Sequence, residues 1–186
     1  MSLATQGPDC VIRSMREEDL PAVMRVEIQV YPYPWTEGIF HDCLRAGYYC
    51  RTLWRAGKIV GYGVMSTAAG ECHILNLCVH PRARRRGLGR TILHCLLAGG
   101  RSRNADTAFL EVRVSNRAAL DLYAVEGFCE VGVRRGYYPL GKGREDAVVM
   151  ACSLYKGGAD LFSASRSARR HRHFSVGATG RSPLLS

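Results

Sequence analysis

The sequence predicts an α/β protein in which a mixed sheet of seven strands is flanked by four helices on both faces. Strand-like and helix-like segments follow one another in the order β-α-α-β-β-β-α-β-α-β-β. Strand–helix–strand units imply parallel neighbours, and tight turns between strands imply antiparallel ones. The 186 residues, of which 47% are hydrophobic, are enough for one domain with its own core.

The N-terminal half is predicted to hold two helices before a hairpin. Early acids and Pro21 suit a helix start, and the prolines of residues 31–35 cannot continue that helix. The turn Arg55-Ala56-Gly57 joins two strands. The predicted elements are a strand at 10–15, helices at 17–30 and 36–45, and strands at 48–54 and 58–66.

The second half alternates strands with helices of clear periodicity. Leu88, Ile92 and Leu96 form the stripe of a buried helix face, and Gly127 is typical of a residue that ends a helix. The predicted elements are strands at 71–80, 107–114, 128–135 and 146–154, with helices at 88–99 and 116–126.

The chain is strongly basic, and its charge is unevenly spread. The net charge is +10, and residues 156–186, with six Lys or Arg and one acid, contribute +5 of it. Such a balance indicates an anionic partner: nucleic acid, a phosphorylated cofactor or a ribosome surface. We expect a domain at 1–156 and a disordered basic tail at 157–186, with a ribosome- or RNA-contacting arm as the alternative for the tail.

The eight cysteines are scattered without a CxxC pair, which favours a reduced, cytoplasmic protein over a disulfide scaffold. Zinc binding by Cys72, His73, Cys78 and His80 is a possible alternative. Strand alternation, however, places His73 opposite the other three, and no second ligand pair follows at finger spacing. We therefore expect no metal. The N-terminus lacks a signal-type apolar region, and no apolar run approaches the roughly 18 residues of a membrane span.

The most informative segment is Arg84-Arg85-Arg86-Gly87-Leu88-Gly89-Arg90, between a predicted strand and a predicted helix. The first amides of a helix lack partners and carry partial positive charge, and glycines let backbone approach a diphosphate closely. The segment therefore indicates an anion site. The alternative is a solvated basic loop.

A second block, from Phe109 to Phe128, carries candidate chemistry. Alternation puts Glu111 opposite the apolar face of Leu110 and Val112, so it faces a cleft or solvent. Asn116 and Tyr123 are almost two helical turns apart and share a face. The alternatives are a surface residue for Glu111, a helix cap for Asn116 and a core aromatic for Tyr123.

Together the two blocks resemble the GNAT superfamily of N-acetyltransferases. Arg84 to Gly89 matches its pyrophosphate loop, (Gln/Arg)-x-x-Gly-x-(Gly/Ala). Residues 116–128 match its pattern Asn-x-x-Ala-x-x-Leu-Tyr-x-x-x-Gly-Phe at every fixed position. The resemblance spans about residues 10–154 and implies a GNAT-like, mostly antiparallel sheet. Residues 110–113, 134–139 and 143–147, with Trp35, resemble the RimI-type enzymes that acetylate the N-terminal alanine of a ribosomal small-subunit protein.

The resemblance implies that acetyl-CoA lies between the strands at 71–80 and 107–114, with a backbone N–H near Cys78 stabilising the oxyanion. Glu111 would be the base and Tyr123 the acid. Four aromatics would line the peptide groove, with loop packing as their alternative: Tyr33, Trp35, Tyr137 and Tyr138. The implied cofactor contacts are Leu77, Cys78, Val79, Arg85, Arg86, Gly87, Leu88, Gly89, Arg90 and Asn116.

The resemblance therefore implies a cytoplasmic, monomeric acetyl-CoA-dependent enzyme whose partner is a protein N-terminus. Two other functions stay open. One is acetylation of internal lysines or small amines, where the high lysine pKa demands harder deprotonation. The other is a basic ribosome- or RNA-binding module on a GNAT fold. Direct nucleic-acid binding is expected only through the tail, and membrane binding is not expected.

Overall fold

The computed structural model describes residues 10–155, so the predicted tail at 157–186 lies outside the described residues. The strands are β1 Cys10–Ser14, β2 Tyr49–Arg55, β3 Lys58–Ala68, β4 Glu71–Val79, β5 Thr107–Arg113, β6 Cys129–Leu140 and β7 Gly143–Ser153. The helices are α1 Leu20–Val30, α2 Glu37–Arg45, α3 Leu88–Arg101 and α4 Arg117–Val125. A short 3-10 turn at Glu17–Asp19 precedes α1, and another at Pro81–Ala83 follows β4.

The strands form one sheet in the order β1-β2-β3-β4-β5-β7-β6. Every neighbouring pair is antiparallel except β4 and β5, which are parallel and joined through α3. The predicted mixed, mostly antiparallel sheet is confirmed. The parallel pair lies in the interior of the sheet, where helices can cover both of its faces.

The hydrophobic core lies on both faces of the sheet. On one face α3 and α4 pack through Ile92, Leu96 and Tyr123, and on the other α1 packs through Leu20, Val23 and Val26. These residues follow helical spacing, so each helix turns one apolar stripe to the sheet. The prediction of helices on both faces is therefore confirmed.

The last hairpin is longer than predicted. The strands predicted at 128–135 and 146–154 extend to Leu140 and begin at Gly143, with only Gly141 and Lys142 between them. Charged residues and Pro139 made this stretch resemble a loop. Proline is tolerated because β6 is an edge strand, whose outer side needs no partner.

A bulge in β4 changes which side chains share a face. Val64 pairs with Asn76 and Met65 with Ile74, which leaves Leu75 as an extra residue. Simple alternation put Cys72 and Cys78 on the same face, and this expectation is wrong. Cys72 packs in the cluster under α3, whereas Cys78 packs in the cluster under α1.

Candidate active site

The site is a gap between the two parallel strands. Their pairing covers only Glu71 to Ile74 of β4 with Thr107 to Leu110 of β5. Both strands continue, but Leu75–Val79 and Glu111–Arg113 do not pair with each other. The strands separate at the Leu75 bulge, because a bulge bends its strand and raises the local twist. The gap is open at the carboxyl ends of both strands.

Backbone groups line the β4 side of this gap. The amide of His80 donates to the carbonyl of Val60 at 2.9 Å. Since bonded and non-bonded pairs alternate in an antiparallel ladder, Cys78 bonds to β3, and the backbone groups of Leu77 and Val79 turn away from it. Their carbonyls accept from the Tyr31 hydroxyl and from Arg84 Nε, each at 3.2 Å. The N–H groups available to the gap are therefore those of Leu77 and Val79, not of Cys78.

The Cys78 side chain is not suited to nucleophilic chemistry. It is 2% exposed, and burial raises the pKa of its thiol to about 12. A thiol with such a pKa is protonated near neutrality, and the thiolate is the reactive form. This agrees with the expectation that the residue contributes through its backbone neighbourhood only.

The arginine-rich segment forms a tight turn at the start of α3. Arg85 has φ +62° and Gly87 has φ +74°, and α3 begins at Leu88. Thr91 donates to the Gly87 carbonyl at 3.0 Å, so the amides of residues 88–90 precede the first helical bond. These amides lack intrahelical partners and lie at the positive end of the helix dipole. They offer donors for an anion beside the gap.

The arginine side chains of this turn have different roles. Arg84 is held on the Val79 carbonyl, and Arg90 forms an ion pair with Glu126 at the end of α4. Hydrogen bonding by His94, together with Arg90, lowers the pKa of Glu126 below its usual value, so it stays ionised. No carboxylate pairs with Arg85 or Arg86 within residues 10–155. Among the described residues, these two side chains of the turn are thus without an ion-pair partner, whereas the Arg90 side chain is engaged and leaves its amide available.

Replacement of Gly87 by alanine is expected to destabilise the protein by about 1 kcal/mol, since a left-handed φ strains an L side chain. An added Cβ would meet no atom within 4 Å, so the effect is conformational and not steric. Chemical denaturation would measure it. Gly132→Ala is the control, because Gly132 is equally open but has an ordinary φ. Equal stability of both variants would contradict the prediction.

Glu111 lies on the sheet face opposite to the α3 side. Leu110 and Val112 belong to the core under α3, while Glu111 forms an ion pair with Arg134 at 3.2 Å. Its side chain is 21% exposed, and its carbonyl accepts from the Tyr138 hydroxyl at 3.0 Å. It begins the segment of β5 that has separated from β4. The carboxylate is therefore beside the gap, oriented by a cation and reachable from solvent.

Asn116 is a helix cap. Its side-chain oxygen accepts from the amide of Ala119 at 3.3 Å at the start of α4. The turn before it is held by Glu145 of β7, which accepts from the Ser115 amide at 2.8 Å and from Arg113 at 3.1 Å. These hydrogen bonds, that of Ser115 first, lower the pKa of Glu145. Asn116 is exposed, so its amide nitrogen can still bind a ligand.

Tyr123 has a buried ring. The residue is 8% exposed and packs in the core at 5.7 Å from Phe128. No hydrogen bond joins its hydroxyl to residues 10–155, and in that range every fully buried side-chain oxygen or nitrogen has a partner. The hydroxyl therefore retains access to solvent. Burial raises the pKa of Tyr123 to about 12, which keeps the phenol protonated.

Of the four aromatic candidates for the acceptor groove, three are partly exposed and Trp35 is buried. Tyr33 accepts from the Gly141 amide at 2.9 Å, which joins the segment between α1 and α2 to the β6–β7 turn. Tyr137 and Tyr138 meet edge to face at 4.9 Å. Trp35 is 4% exposed and packs on Phe40, so its burial favours loop packing over contact with an acceptor.

A buried polar group between α1 and strands β3 and β4 was not predicted from the sequence. It consists of Glu27, Tyr31, Tyr62 and Asn76. One signal was present in the sequence: Glu27 continues the spacing of Leu20 and Val23 and so falls on the buried face of α1. A charged residue at such a position indicates a specific partner.

Two further findings concern the described part of the chain. Residues 10–155 contain no group of three or more His, Cys, Asp or Glu side chains arranged to hold a metal ion. No helix in that range combines the length and the apolar character that crossing a bilayer requires.

Comparison with known proteins assigns this architecture to a family. The acetyltransferase (GNAT) family profile matches residues 13–128. The [ribosomal protein bS18]-alanine N-acetyltransferase of Escherichia coli (strain K12) is 38% identical over 143 residues, which cover 77% of this chain and 97% of that protein. The enzyme of the same name from Haemophilus influenzae is 32% identical over 77% of this chain and 99% of that protein.

Solved structures agree with the sequence relatives. The crystal structure of the ribosomal-protein-S18-alanine N-acetyltransferase from Escherichia coli superposes with a TM-score of 0.75 at 36% identity, over 82% of this chain and 99% of that one. Ard1 from Thermoplasma volcanium gives a TM-score of 0.72 at 26% identity, over 80% and 99%. The family profile and the sequence relatives show that the chain belongs to the acetyltransferase (GNAT) family.

Proposed function

We propose that this protein transfers the acetyl group of acetyl-CoA to the N-terminal alanine of a ribosomal small-subunit protein. The observation that carries the proposal is the extent of similarity to bS18-alanine N-acetyltransferases. It runs through almost their whole length and includes every segment of the gap. The acceptor amine attacks the donor directly, because the gap region offers no reactive thiolate.

Acetyl-CoA supplies a thioester-activated acetyl group and a diphosphate. The amides of residues 85–90, with the side chains of Arg85 and Arg86, are suited to the diphosphate. The backbone N–H groups of Leu77 and Val79, which turn away from β3 on either side of Cys78, are suited to an extended amide-containing arm. Exposed Asn116, at the start of α4, offers a side-chain amide.

The chain's own residues handle the protons. An α-amine with a pKa near 7.7–8.0 is mostly protonated at pH 7, so a base is required. Glu111 takes that proton, directly or through water, and Arg134 orients its carboxylate. The Tyr123 phenol, kept neutral by burial, donates a proton to the departing sulfur. An N–H of Leu77 or Val79 stabilises the charge that develops on the acetyl oxygen.

The acceptor groove favours a chain end over an internal lysine. The Tyr33–Gly141 hydrogen bond links the two segments that flank the Glu111 side of the gap. A groove bridged in this way admits the free end of an acceptor chain more easily than a chain that continues on both sides of the reacting residue. Tyr137 and Tyr138 offer ring surfaces beside Glu111 for the first acceptor residues.

The cellular setting follows from the acceptor. Ribosomal proteins are made in the cytoplasm, and eight cysteines without a disulfide in residues 10–155 suit that reducing compartment. We propose that the enzyme acts as a monomer. The basic tail at 157–186 is the part of the chain that would contact RNA.

The function is tested with two peptides and acetyl-CoA, followed by mass spectrometry. One peptide has a free N-terminal alanine followed by arginine and tyrosine. The other is blocked at its N-terminus and carries an internal lysine. We expect acetylation of the free alanine only. Acetylation of only the lysine, or of neither peptide, would contradict the proposed acceptor.

A further inference from the structure

A carboxylate that has no cationic partner among residues 10–155 is buried under α1, on the β4 side of the gap. Glu27, in the middle of α1, is 1% exposed. Its carboxylate accepts from the backbone amide of Trp35 at 2.7 Å and from the hydroxyl of Tyr62, and the polar side chain of Asn76 lies beside it. Burial raises the pKa of Glu27, and Tyr62, Trp35 and Asn76 oppose that rise.

These three residues come from three different parts of the chain. Trp35 lies in the segment between α1 and α2, Tyr62 in β3, and Asn76 in β4 directly after the Leu75 bulge. Glu27 therefore joins α1 to the sheet and also to a segment with no regular structure of its own. Among residues 10–155, no other single side chain connects α1 both to the sheet and to the segment between α1 and α2.

The same group reaches the gap on one side and the acceptor groove on the other. The Tyr31 hydroxyl is 3.4 Å from Asn76 Oδ1 and donates to the Leu77 carbonyl at 3.2 Å. On the other side Trp35 is two residues from Tyr33, whose hydroxyl accepts from the Gly141 amide. The carboxylate is thus bonded directly to the segment that bridges the groove, and only indirectly to the cofactor side.

A need for packing alone does not explain a carboxylate here. The surrounding residues are apolar or aromatic, and an isolated buried charge is unfavourable unless its hydrogen bonds compensate. A leucine at this position would fill the space without that cost. What the carboxylate adds is geometry, since it holds polar groups from three separate segments at fixed positions.

We propose that Glu27 is a positioning residue that holds the Tyr31–Trp35 segment against the sheet and thereby sets the shape of the acceptor groove. This inference rests on the proposed function, because it concerns the site of the acceptor in that reaction. Glu27 touches neither the acceptor nor acetyl-CoA. It acts through the Trp35 amide.

The test compares Glu27→Gln with the wild type in steady-state kinetics on the free-alanine peptide. Glutamine has the same shape but places an amide NH₂ against a donor, so one buried hydrogen bond is lost. We expect the acceptor KM to rise about tenfold, with the acetyl-CoA KM unchanged within about twofold. Glu27→Leu, which accepts no hydrogen bond, should raise the acceptor KM further while the protein remains folded.

A matched control is available at the start of the same helix. Asp19 is also buried, at 8% exposed, and accepts from the Arg16 amide at 2.9 Å, but it contacts no part of the groove. Asp19→Asn should lower thermal stability and leave the acceptor KM unchanged. An equal rise of the acceptor KM in Asp19→Asn and Glu27→Gln would mean that the effect is general loss of stability, and would overturn the proposal.

A second measurement does not depend on activity. Amide hydrogen exchange, followed by mass spectrometry, should be faster for residues 31–36 of Glu27→Gln than of the wild type, with no change for residues 88–100. An inactive wild type would refute the proposed function, and the exchange result would still test the positioning role. Unchanged exchange at 31–36, or a kinetic loss confined to the acetyl-CoA KM, would overturn the inference.

Discussion

Replacement of Glu111 by glutamine is expected to lower kcat at pH 7 by about a hundredfold or more, the usual contribution of a general base. The carboxylate lies beside the open part of the gap and is oriented by Arg134 at 3.2 Å. Glutamine keeps the size of the side chain but cannot take a proton. Because Glu111 faces away from the core under α3, we expect the fold and acetyl-CoA binding to persist.

The loss should shrink as the pH rises. An α-amine with a pKa near 7.7–8.0 is mostly neutral by pH 9, so it no longer needs a base to remove a proton before it attacks. The kcat ratio of wild type to Glu111→Gln, measured between pH 7 and 9, should therefore fall. Calorimetry with acetyl-CoA checks that donor binding is retained.

Glu130→Gln is the control for this prediction. Glu130 is an exposed glutamate of β6, next to the same part of the sheet, and the gap does not involve it. Its variant should turn over like the wild type. Turnover of Glu111→Gln within twofold of the wild type at pH 7 would remove Glu111 from the mechanism.

Replacement of Tyr123 by phenylalanine is expected to lower kcat by about a hundredfold while changing the free energy of unfolding by less than about 1 kcal/mol. The ring is a core residue, and phenylalanine fills the same space. The hydroxyl has no partner within residues 10–155, so its removal leaves no described group unsatisfied. The variant should therefore lose kcat while its free energy of unfolding stays close to that of the wild type.

The pH dependence provides an independent check. Burial raises the pKa of Tyr123 to about 12, whereas an unperturbed tyrosine would be half ionised near pH 10. The proton donor is present below its pKa, so kcat of the wild type should not decline between pH 8 and 10. Tyr48→Phe removes the hydroxyl of an exposed tyrosine away from the gap, and this control variant should keep the kcat of the wild type. A large stability loss in Tyr123→Phe with kcat intact would make Tyr123 a structural residue only.

Much of the fold followed from local patterns. The periodicity of Leu88, Ile92 and Leu96 predicted α3, and its observed range, Leu88–Arg101, begins where the pattern begins. The Arg84–Arg90 motif predicted a turn at a helix start, and the turn has the left-handed backbone that Gly87 permits. These features depend on residues close together in the chain, so sequence spacing carries them.

Other features depend on partners far away in sequence. The Tyr138–Leu140 stretch became a strand because it pairs with β7, which no local pattern of Tyr and Pro indicated. The burial of Trp35 against Phe40 likewise depends on how α2 packs on the sheet. An exposed and a buried aromatic look the same in a loop sequence.

The sequence by itself determined the order of elements, the arginine turn at the start of α3 and the candidate residues Glu111, Asn116 and Tyr123. Only the tertiary structure decided which backbone groups face the gap. The Leu75 bulge and the β3 pairing turn Leu77 and Val79 toward the gap and Cys78 away from it. It also assembled Glu27 with Trp35, Tyr62 and Asn76. The reason is physical: register, strand separation and buried hydrogen bonds are properties of paired segments, and one segment does not contain them.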